Sequence, residues 1–284
     1  MTTRQPSRKL LRYKRKVFIL RMEELLLLIV IVALLFTRRE SISTSTVLDS
    51  IEVQAASTIC LSQNQIEEEY EWLQQHSELF PEGKVASSEG NIGLIHFLYE
   101  YGNGIYDAKV DAKLTSEEAQ SEIPLFIQWD ERWGFTEYCD SNIGICGCGP
   151  TCLAMVIEGL TRDQNVTPKS VAEYAMSNGF YMEGTGTKWS LFEKYACQQN
   201  VICTNCGINK TDIYLNLQQG HPVICSMGPG TFTTGGHFIV LCGLKDGNVI
   251  INDPNDVNLS AKLWNWDSIS SEIKNAWAFS NVNI

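Results

Sequence analysis

Four residues in the second half of the chain have types and surroundings that suit nucleophilic catalysis by a cysteine. The first is Cys148, which lies in the sequence GCGPT (147–151) directly before the apolar run 152–157. This pattern predicts a loop that leads into a helix, because Pro150 suits the first helical position and glycine permits a sharp turn before it. At a helix N-terminus, unpaired N–H groups and the positive dipole end stabilise a thiolate, the nucleophilic form of cysteine.

A cysteine nucleophile needs a base, a group that orients the base and donors for the oxyanion. His237 begins the apolar run 237–241, which predicts a buried strand. Asp253 follows a second apolar run at 248–252, and a short turn at 245–247 separates the two. The pattern therefore predicts a hairpin that brings Asp253 near the end of the strand carrying His237.

Gln128 is the candidate oxyanion donor. It ends a short strand predicted over 123–128 and stands 20 positions before Cys148. Its side-chain amide and the N–H of Cys148 are the two donors that we expect to face the oxyanion. His221 is a rival base, but no carboxylate follows it on a next strand in the way that Asp253 follows His237. We therefore expect His237 to be the base.

The order of these residues resembles that of the papain-like cysteine peptidases of the bacteriocin-processing type, in particular the broad family 39-like group of secreted or anchored bacterial proteins. The resemblance covers roughly residues 121 to 284 and is carried by the blocks IPLFIQWDERWG, CGCGPTCLAMV, HPVICSM, GGHFIVLCG and NDPN. It implies an α+β, papain-like fold, in which a helix carrying the nucleophile packs on an antiparallel sheet.

The resemblance also implies the activity and the roles of the site residues. The activity is thiol-dependent hydrolysis of peptide or amide bonds in a peptide or protein substrate, without a metal or an organic cofactor. Cys148 is the nucleophile, His237 the general base and acid, Asp253 the orienting group and Gln128 the oxyanion donor. The chain departs from the family pattern at Cys146, two residues before Cys148. Only Cys148 is followed directly by Gly-Pro-Thr, so we expect Cys148 to be the nucleophile.

Two other functions remain open at this stage. Cell-wall peptide amidases also use a cysteine and a histidine, although the upstream glutamine and the downstream Asp-Pro fit the bacteriocin-processing type better. A non-catalytic binding module on the same fold is the alternative from another class, because a sequence alone does not show that the four residues meet in space.

Charge is distributed unevenly along the 284 residues. Residues 1–39 carry ten lysines and arginines and two acidic residues, whereas the rest carries twelve basic and thirty-one acidic residues. An acidic body argues against binding of nucleic acid. A basic tail joined to an acidic body fits a protein whose tail and body lie on opposite sides of a membrane.

The N-terminal part predicts a membrane anchor. Residues 1–16 form a basic cytoplasmic tail, and residues 17–36 form the signal anchor or transmembrane segment, whose uninterrupted apolar part is 25–36. This part is short for a span of about 20 residues and resembles the apolar region of a signal peptide. No cleavage site follows closely, so we expect an uncleaved single-pass anchor with the catalytic region outside the cell membrane. Cleavage would instead give a secreted protein.

The remaining organisation follows from local patterns. Residues 37–61 are rich in serine and threonine and predict a linker, residues 62–120 a helical segment, and residues 121–284 the peptidase domain. The glycine-rich loop (residues 227–236) leads to His237 and is either a lid or a long turn. The sequence leaves the oligomeric state open.

Ten cysteines are many for this length, but they do not predict a metal site. Cys203 and Cys206 have the spacing of metal ligands, yet no second pair matches them. We expect a local disulfide or free thiols there.

Overall fold

The computed structural model describes residues 61–107, 112–183 and 186–282. Helices come first in the chain, short strands and further helices follow, and most strands of the main sheet come last. The α-helices of these residues are, in chain order, α1 (Gln63–Gln75), α2 (Ile92–Asn103), α3 (Ser116–Gln120), α4 (Ile143–Cys146), α5 (Cys148–Thr161), α6 (Pro168–Ser177), α7 (Ser190–Gln198), α8 (Lys210–Gln218), α9 (Val257–Ser260) and α10 (Trp266–Ile269). Short 3₁₀ helices are Ser77–Leu79, Ala86–Ser88 and Ser270–Glu272.

Local sequence signals set the beginnings of several helices. The side chains of Ser62, Thr115 and Thr167 each accept a hydrogen bond from a backbone N–H in the first turn, and each forms a capping box. Pro168 occupies the first turn of α6, where its missing N–H costs nothing. These signals are local, because each capping side chain and its backbone partner lie within one turn of the chain.

The strands of the described residues all pair in antiparallel fashion. They are, in chain order, β1 (Glu137–Tyr138), β2 (Ser141–Asn142), β3 (Tyr181–Met182), β4 (Gly186–Thr187), β5 (Val201–Asn205), β6 (Val223–Met227), β7 (His237–Lys245), β8 (Asn248–Asn252), β9 (Leu263–Trp264) and β10 (Ile273–Asn281). Six of them form the main sheet in the order β5-β10-β6-β7-β8-β9. The predicted hairpin is present as β7 and β8, joined by Asp246 and Gly247, both of which have positive φ.

Both faces of the main sheet are covered, which explains the continuous apolar runs of its central strands. In β7, Phe238 and Val240 point to the core that contains α5, whereas Ile239 and Leu241 point to the core that contains Ile213 of α8. Residues 152–157 of α5 are all fully buried. The helix that begins at Cys148 therefore packs on the sheet that carries the histidine.

The helical segment has a core of its own. Leu73 of α1 packs with Leu94 and Leu98 of α2, and all three side chains are fully buried. Phe135 belongs to the same core, although it lies beyond the segment. The helical segment is thus joined to the rest of the described chain by shared apolar packing.

Three local expectations are corrected by the structure. Helix α5 begins at Cys148, two residues before Pro150, which is tolerated because N–H groups in the first turn have no helical partner. Residues 123–128 form no strand, and Asn252 Nδ2 donates to Ile123 O and Pro124 O in place of a ladder. The sequence also predicts a helix near 267–275, but the structure has only α10 and a 3₁₀ turn there, because β10 begins at Ile273 and pairs with Met227.

The predicted basic tail (1–16), signal anchor (17–36) and linker up to residue 60 lie outside the described residues. No helix in the part of the chain that the structure describes is both long and apolar enough to cross a membrane.

Candidate active site

Cys148 is the first residue of α5, and the backbone around it is fixed from both sides. Gly147 forms the N-cap, and its carbonyl accepts hydrogen bonds from both the N–H and the hydroxyl of Thr151. A Cβ on Gly149 would lie 2.4 Å from Thr187 Oγ1, so only glycine fits beside strand β4. The glycine is therefore required by close packing rather than by the sharp turn that the sequence suggests.

His237 and Asp253 meet at one edge of the β7–β8 hairpin. His237 begins β7, opposite Met227 of β6, and Asp253 follows the last residue of β8. His237 Nε2 lies 2.7 Å from Asp253 Oδ1, and the two side chains are only 8% and 1% exposed. The N–H of Asn255 donates to Asp253 Oδ1 at 2.8 Å and holds the carboxylate. The N–H of Asp253 donates to Ser260 Oγ at 2.8 Å and holds the backbone of Asp253.

The thiol of Cys148 interacts with His237 and with the backbone N–H of Phe238. Burial raises the pKa of this thiol, whereas the hydrogen bond and the charge of His237 lower it. The Phe238 N–H and the charge of Lys84 lower it further, and the net pKa lies below that of an ordinary cysteine. The position at a helix N-terminus acts in the same direction.

The imidazole of His237 shows the opposite shift. Burial lowers its pKa, but the charge and hydrogen bond of Asp253, together with those of Cys148, raise it to about 10. Because Asp253 occupies Nε2, the ring nitrogen Nδ1 is the one left for Cys148. A lowered thiol pKa beside a raised imidazole pKa favours a thiolate–imidazolium pair at neutral pH.

Cys146 differs from Cys148 in its electrostatics. Burial raises the pKa of Cys146, and the nearby charge of Cys148 raises it further. Burial also raises the pKa of Cys152 well above the ordinary value, and those of Cys139 and Cys242 to about 12. The nine cysteines of the described residues are free thiols, Cys203 and Cys206 included.

Gln128 lies in a turn and is 2% exposed. Its backbone N–H donates to Pro254 O at 2.7 Å, which ties it to the residue after Asp253. Its side-chain Nε2 donates to Gly144 O at 2.9 Å, while the buried Oε1 has no hydrogen-bond partner. An amide nitrogen carries two hydrogens, so one N–H remains beyond the bond to Gly144.

The aromatic residues beside Gln128 have different surroundings. Trp133 is fully buried, and its Nε1 donates to Ile127 O at 2.7 Å, so it belongs to the core. Trp129 packs its ring on Gly93 of α2 and donates to Asn255 O at 3.0 Å. Trp129 therefore joins the helical segment to the turn that follows Asp253.

The glycine-rich loop is pinned at its base rather than free along its length. Thr231 donates from its N–H and its hydroxyl to the carboxylate of Glu272 at 2.9 and 2.8 Å, and Gly228 N–H donates to Glu272 O at 2.7 Å. Phe232 is buried. Residues 229–231 and 234–236 of the loop are exposed, and the second stretch lies directly before His237.

The rival base contacts other groups. His221 Nδ1 lies 3.2 Å from Asn216 Oδ1, just beyond α8. His237, by contrast, is the histidine whose charge and hydrogen bond act on Cys148.

One group of potential metal ligands occurs among the described residues. Ligand atoms of His96, Glu100 and Glu131 all lie within 4.8 Å of one another. His96 already pairs with Glu69 at 3.0 Å and with Glu100 at 3.6 Å. These ion pairs account for the cluster, and we assign no metal to it.

Lys84 is a residue of the site that the sequence did not reveal. It belongs to the helical segment, and its charge acts on Cys148, Cys146 and Asp253. No local motif surrounds it in the sequence Glu82-Gly83-Lys84-Val85. Only the fold brings it to the cysteine.

A fold of helices on an antiparallel sheet, with a cysteine, a histidine and an aspartate at one edge, resembles the peptidase domains of the C39 class. The chain belongs to the Peptidase_C39 like family, whose family model matches residues 120–281. No curated protein matches the chain.

Two solved structures illustrate the resemblance. One is the peptidase domain of ComA, a bi-functional ABC transporter of Streptococcus involved in quorum sensing, which is 18% identical with a TM-score of 0.39. That match covers 48% of this chain and 92% of the other. The second is a C39-like peptidase from Bacillus anthracis, which is 18% identical to this chain with a TM-score of 0.37. This match covers 57% of this chain and 96% of the other.

Proposed function

We propose that this protein is a cysteine peptidase that hydrolyses peptide or amide bonds, with Cys148 as nucleophile, His237 as general base and acid, and Asp253 as the group that orients His237. The observation that carries this proposal is the continuous chain of contacts from the Cys148 thiol through the His237 ring to Asp253 Oδ1. The membership of the family supports the same reaction class.

The acylation step follows from these contacts. The Cys148 sulfur forms a bond to the carbonyl carbon of the substrate, and the carbonyl π electrons move to the oxygen. When the tetrahedral intermediate collapses, the C–N bond breaks and His237 gives its proton to the leaving amine. The product is a thioester on Cys148 and a free amine.

Deacylation reverses the roles. Neutral His237 takes a proton from water, whose oxygen attacks the thioester carbon. The C–S bond then breaks, the acid product leaves, and Cys148 returns as a thiolate beside the imidazolium. Asp253 keeps the same ring nitrogen occupied throughout and stabilises the imidazolium by its charge.

Gln128 and the backbone N–H of Cys148 stabilise the oxyanion in this proposal. The N–H of Cys148 is in the first turn of α5, where it has no helical acceptor. The second amide hydrogen of Gln128 is the matching donor, and its bond to Gly144 holds the amide in place before substrate binds.

A direct test is hydrolysis of a broad peptide library by the full-length chain, with Cys148→Ala as the matched control. We expect cleavage that the control lacks and that iodoacetamide abolishes. Absence of cleavage, together with binding of peptides by both proteins, would support the non-catalytic binding module instead. Cleavage restricted to cell-wall peptides would support the amidase.

The anchor and the location belong to the same proposal. The basic segment 1–16, followed by residues 17–36 with their uninterrupted apolar part 25–36, supports a single-pass signal anchor with the peptidase outside the cell membrane. Fractionation of cells that express the full chain tests this. Recovery in the membrane supports the anchor, and a shorter protein in the medium supports cleavage and secretion.

A further inference from the structure

Lys84 lies in a tightly turned part of the helical segment, between two 3₁₀ helices. Its N–H donates to Pro81 O at 3.0 Å, and its carbonyl accepts the hydroxyl of Ser87 at 2.8 Å. The next residue, Val85, is buried in the core of the segment. These contacts fix the backbone from which the Lys84 side chain extends.

Three contacts dock the helical segment around the candidate active site. Asn91 Nδ2 donates to Asn255 O at 2.9 Å, two residues after Asp253. Gly93 of α2 lies against the ring of Trp129, directly after Gln128, and a Cβ there would be 2.2 Å from the ring.

The third contact involves Gly83, the neighbour of Lys84. A Cβ at Gly83 would be 3.9 Å from Thr234 Oγ1, in the exposed part of the glycine-rich loop that leads to His237. The segment thus contacts residues that lie within three positions of Asp253, Gln128 and His237 in the chain.

The charges around Lys84 are those of the site. Burial lowers the pKa of Lys84, while negative charge on Cys148, Cys146 and Asp253 opposes this. Lys84 is half-buried, and no described residue forms a hydrogen bond or salt bridge with its ammonium. In partly desolvated surroundings, a Coulomb interaction between such groups is stronger than in water.

We propose that the helical segment completes the active site by bringing the Lys84 ammonium to Cys148, as a second cation beside His237 that stabilises the thiolate. This inference rests on the proposed cysteine peptidase function and adds a role for residues outside the family match, which begins at residue 120. Lys84 acts on catalysis through Cys148, because its positive charge stabilises the thiolate. Lys84 takes no part in proton transfer.

Because Lys84 stabilises the thiolate, the pH range over which the protein is active depends on the helical segment. The titratable groups that interact with the Cys148 thiol are His237 of β7, Lys84, Cys146 of α4, Cys152 of α5, Tyr138 of β1 and Cys139, which follows β1. Only His237 and Lys84 carry positive charge, so loss of Lys84 leaves one cation for the thiolate.

The test compares the full-length chain with Lys84→Met, Lys84→Arg and Lys194→Met. Lys194 is an exposed lysine of α7, so its variant controls for the loss of one positive charge. The measurement is the pH midpoint of Cys148 alkylation by limiting iodoacetamide, read by peptide mapping. We expect Lys84→Met to raise the midpoint by about 0.5 to 1 unit, the lower end of what an adjacent opposite charge produces. Lys84→Arg and Lys194→Met should keep the wild-type midpoint.

Two outcomes separate this inference from the proposed function. A wild-type midpoint at the free-thiol value of about 8.5 would defeat the peptidase proposal itself. A low wild-type midpoint that Lys84→Met leaves unchanged would overturn only the role of Lys84. Protection of Cys152 and Cys225, both fully buried, reports that each variant is folded. If Lys84→Met loses this protection, the midpoint of Cys148 alkylation is measured in Lys84→Gln instead, and that value tests the role of Lys84.

Discussion

His237 Nε2 and Asp253 Oδ1 lie 2.7 Å apart, although the two residues are 16 positions apart in the chain, and both side chains are almost completely buried. The hairpin β7–β8 creates this contact, because His237 begins one strand and Asp253 follows the end of the other. A buried carboxylate that holds one ring nitrogen leaves the other available to Cys148.

Replacement of Asp253 by asparagine tests this contact. An asparagine is of similar size and keeps a hydrogen-bonding side chain, but it removes the charge that stabilises the imidazolium. We expect Asp253→Asn to fold and to lower kcat by about 10²- to 10⁴-fold. Steady-state hydrolysis and circular dichroism measure the two effects. Wild-type kcat in a folded Asp253→Asn variant would mean that another group orients His237.

The pair Cys146 and Cys148 tests the assignment of the nucleophile. Cys148→Ala should abolish hydrolysis, because it removes the thiol that contacts His237. Cys146→Ala should retain most of the activity, because burial keeps the Cys146 thiol protonated. Rate measurements with a cleaved peptide distinguish the two variants. Loss of activity in Cys146→Ala together with activity in Cys148→Ala would reverse the assignment.

Gln128 is expected to affect catalysis and stability together. Gln128→Ala removes the proposed donor to the oxyanion, which we expect to lower kcat by about 10²- to 10³-fold. The change also leaves Gly144 O without its partner, at a cost of roughly 1–3 kcal/mol in the free energy of unfolding. Urea denaturation and kcat measured on the folded protein separate these effects. A stable variant with undiminished kcat would exclude Gln128 from the oxyanion site.

Gly149→Ala tests the packing that holds the nucleophile. The added Cβ would meet Thr187 Oγ1 at 2.4 Å, so β4 or α5 must shift, and we expect about 1–3 kcal/mol lower stability. Gly243→Ala in β7 is the matched control, because no atom lies within 4 Å of the added Cβ. Equal urea midpoints for the two variants would contradict the close contact between Gly149 and Thr187.

The part of the site that is local in sequence could be predicted from the sequence. His237 and Asp253 flank two apolar runs joined by a short turn, and Cys148 precedes an apolar helix. Strand alternation and turn residues determine such hairpins, because the paired residues are near neighbours in the chain. The positions of these three residues follow from those patterns.

The surroundings of Gln128 and Lys84 could not be predicted in the same way. The apolar residues 123–127 suggest a strand, but this segment is held by the side chain of Asn252 instead of a ladder. The charge of Lys84 acts on Cys148 only through packing of the helical segment, such as Trp129 on Gly93. Contacts between distant parts of the chain leave no periodic signal in the sequence.

The most direct test of the proposed peptidase measures the reactivity of Cys148 in the full-length chain between pH 4 and 11. The rate of alkylation by iodoacetamide is determined for each cysteine by peptide mapping. The lowered pKa of Cys148 predicts that its alkylation begins at lower pH than that of the other cysteines. The raised pKa of His237, about 10, predicts that hydrolysis falls again above that pH, when the imidazolium loses its proton. Alkylation of Cys148 with a midpoint near 8.5, no faster than that of exposed Cys197, would contradict the thiolate–imidazolium pair and with it the proposed peptidase.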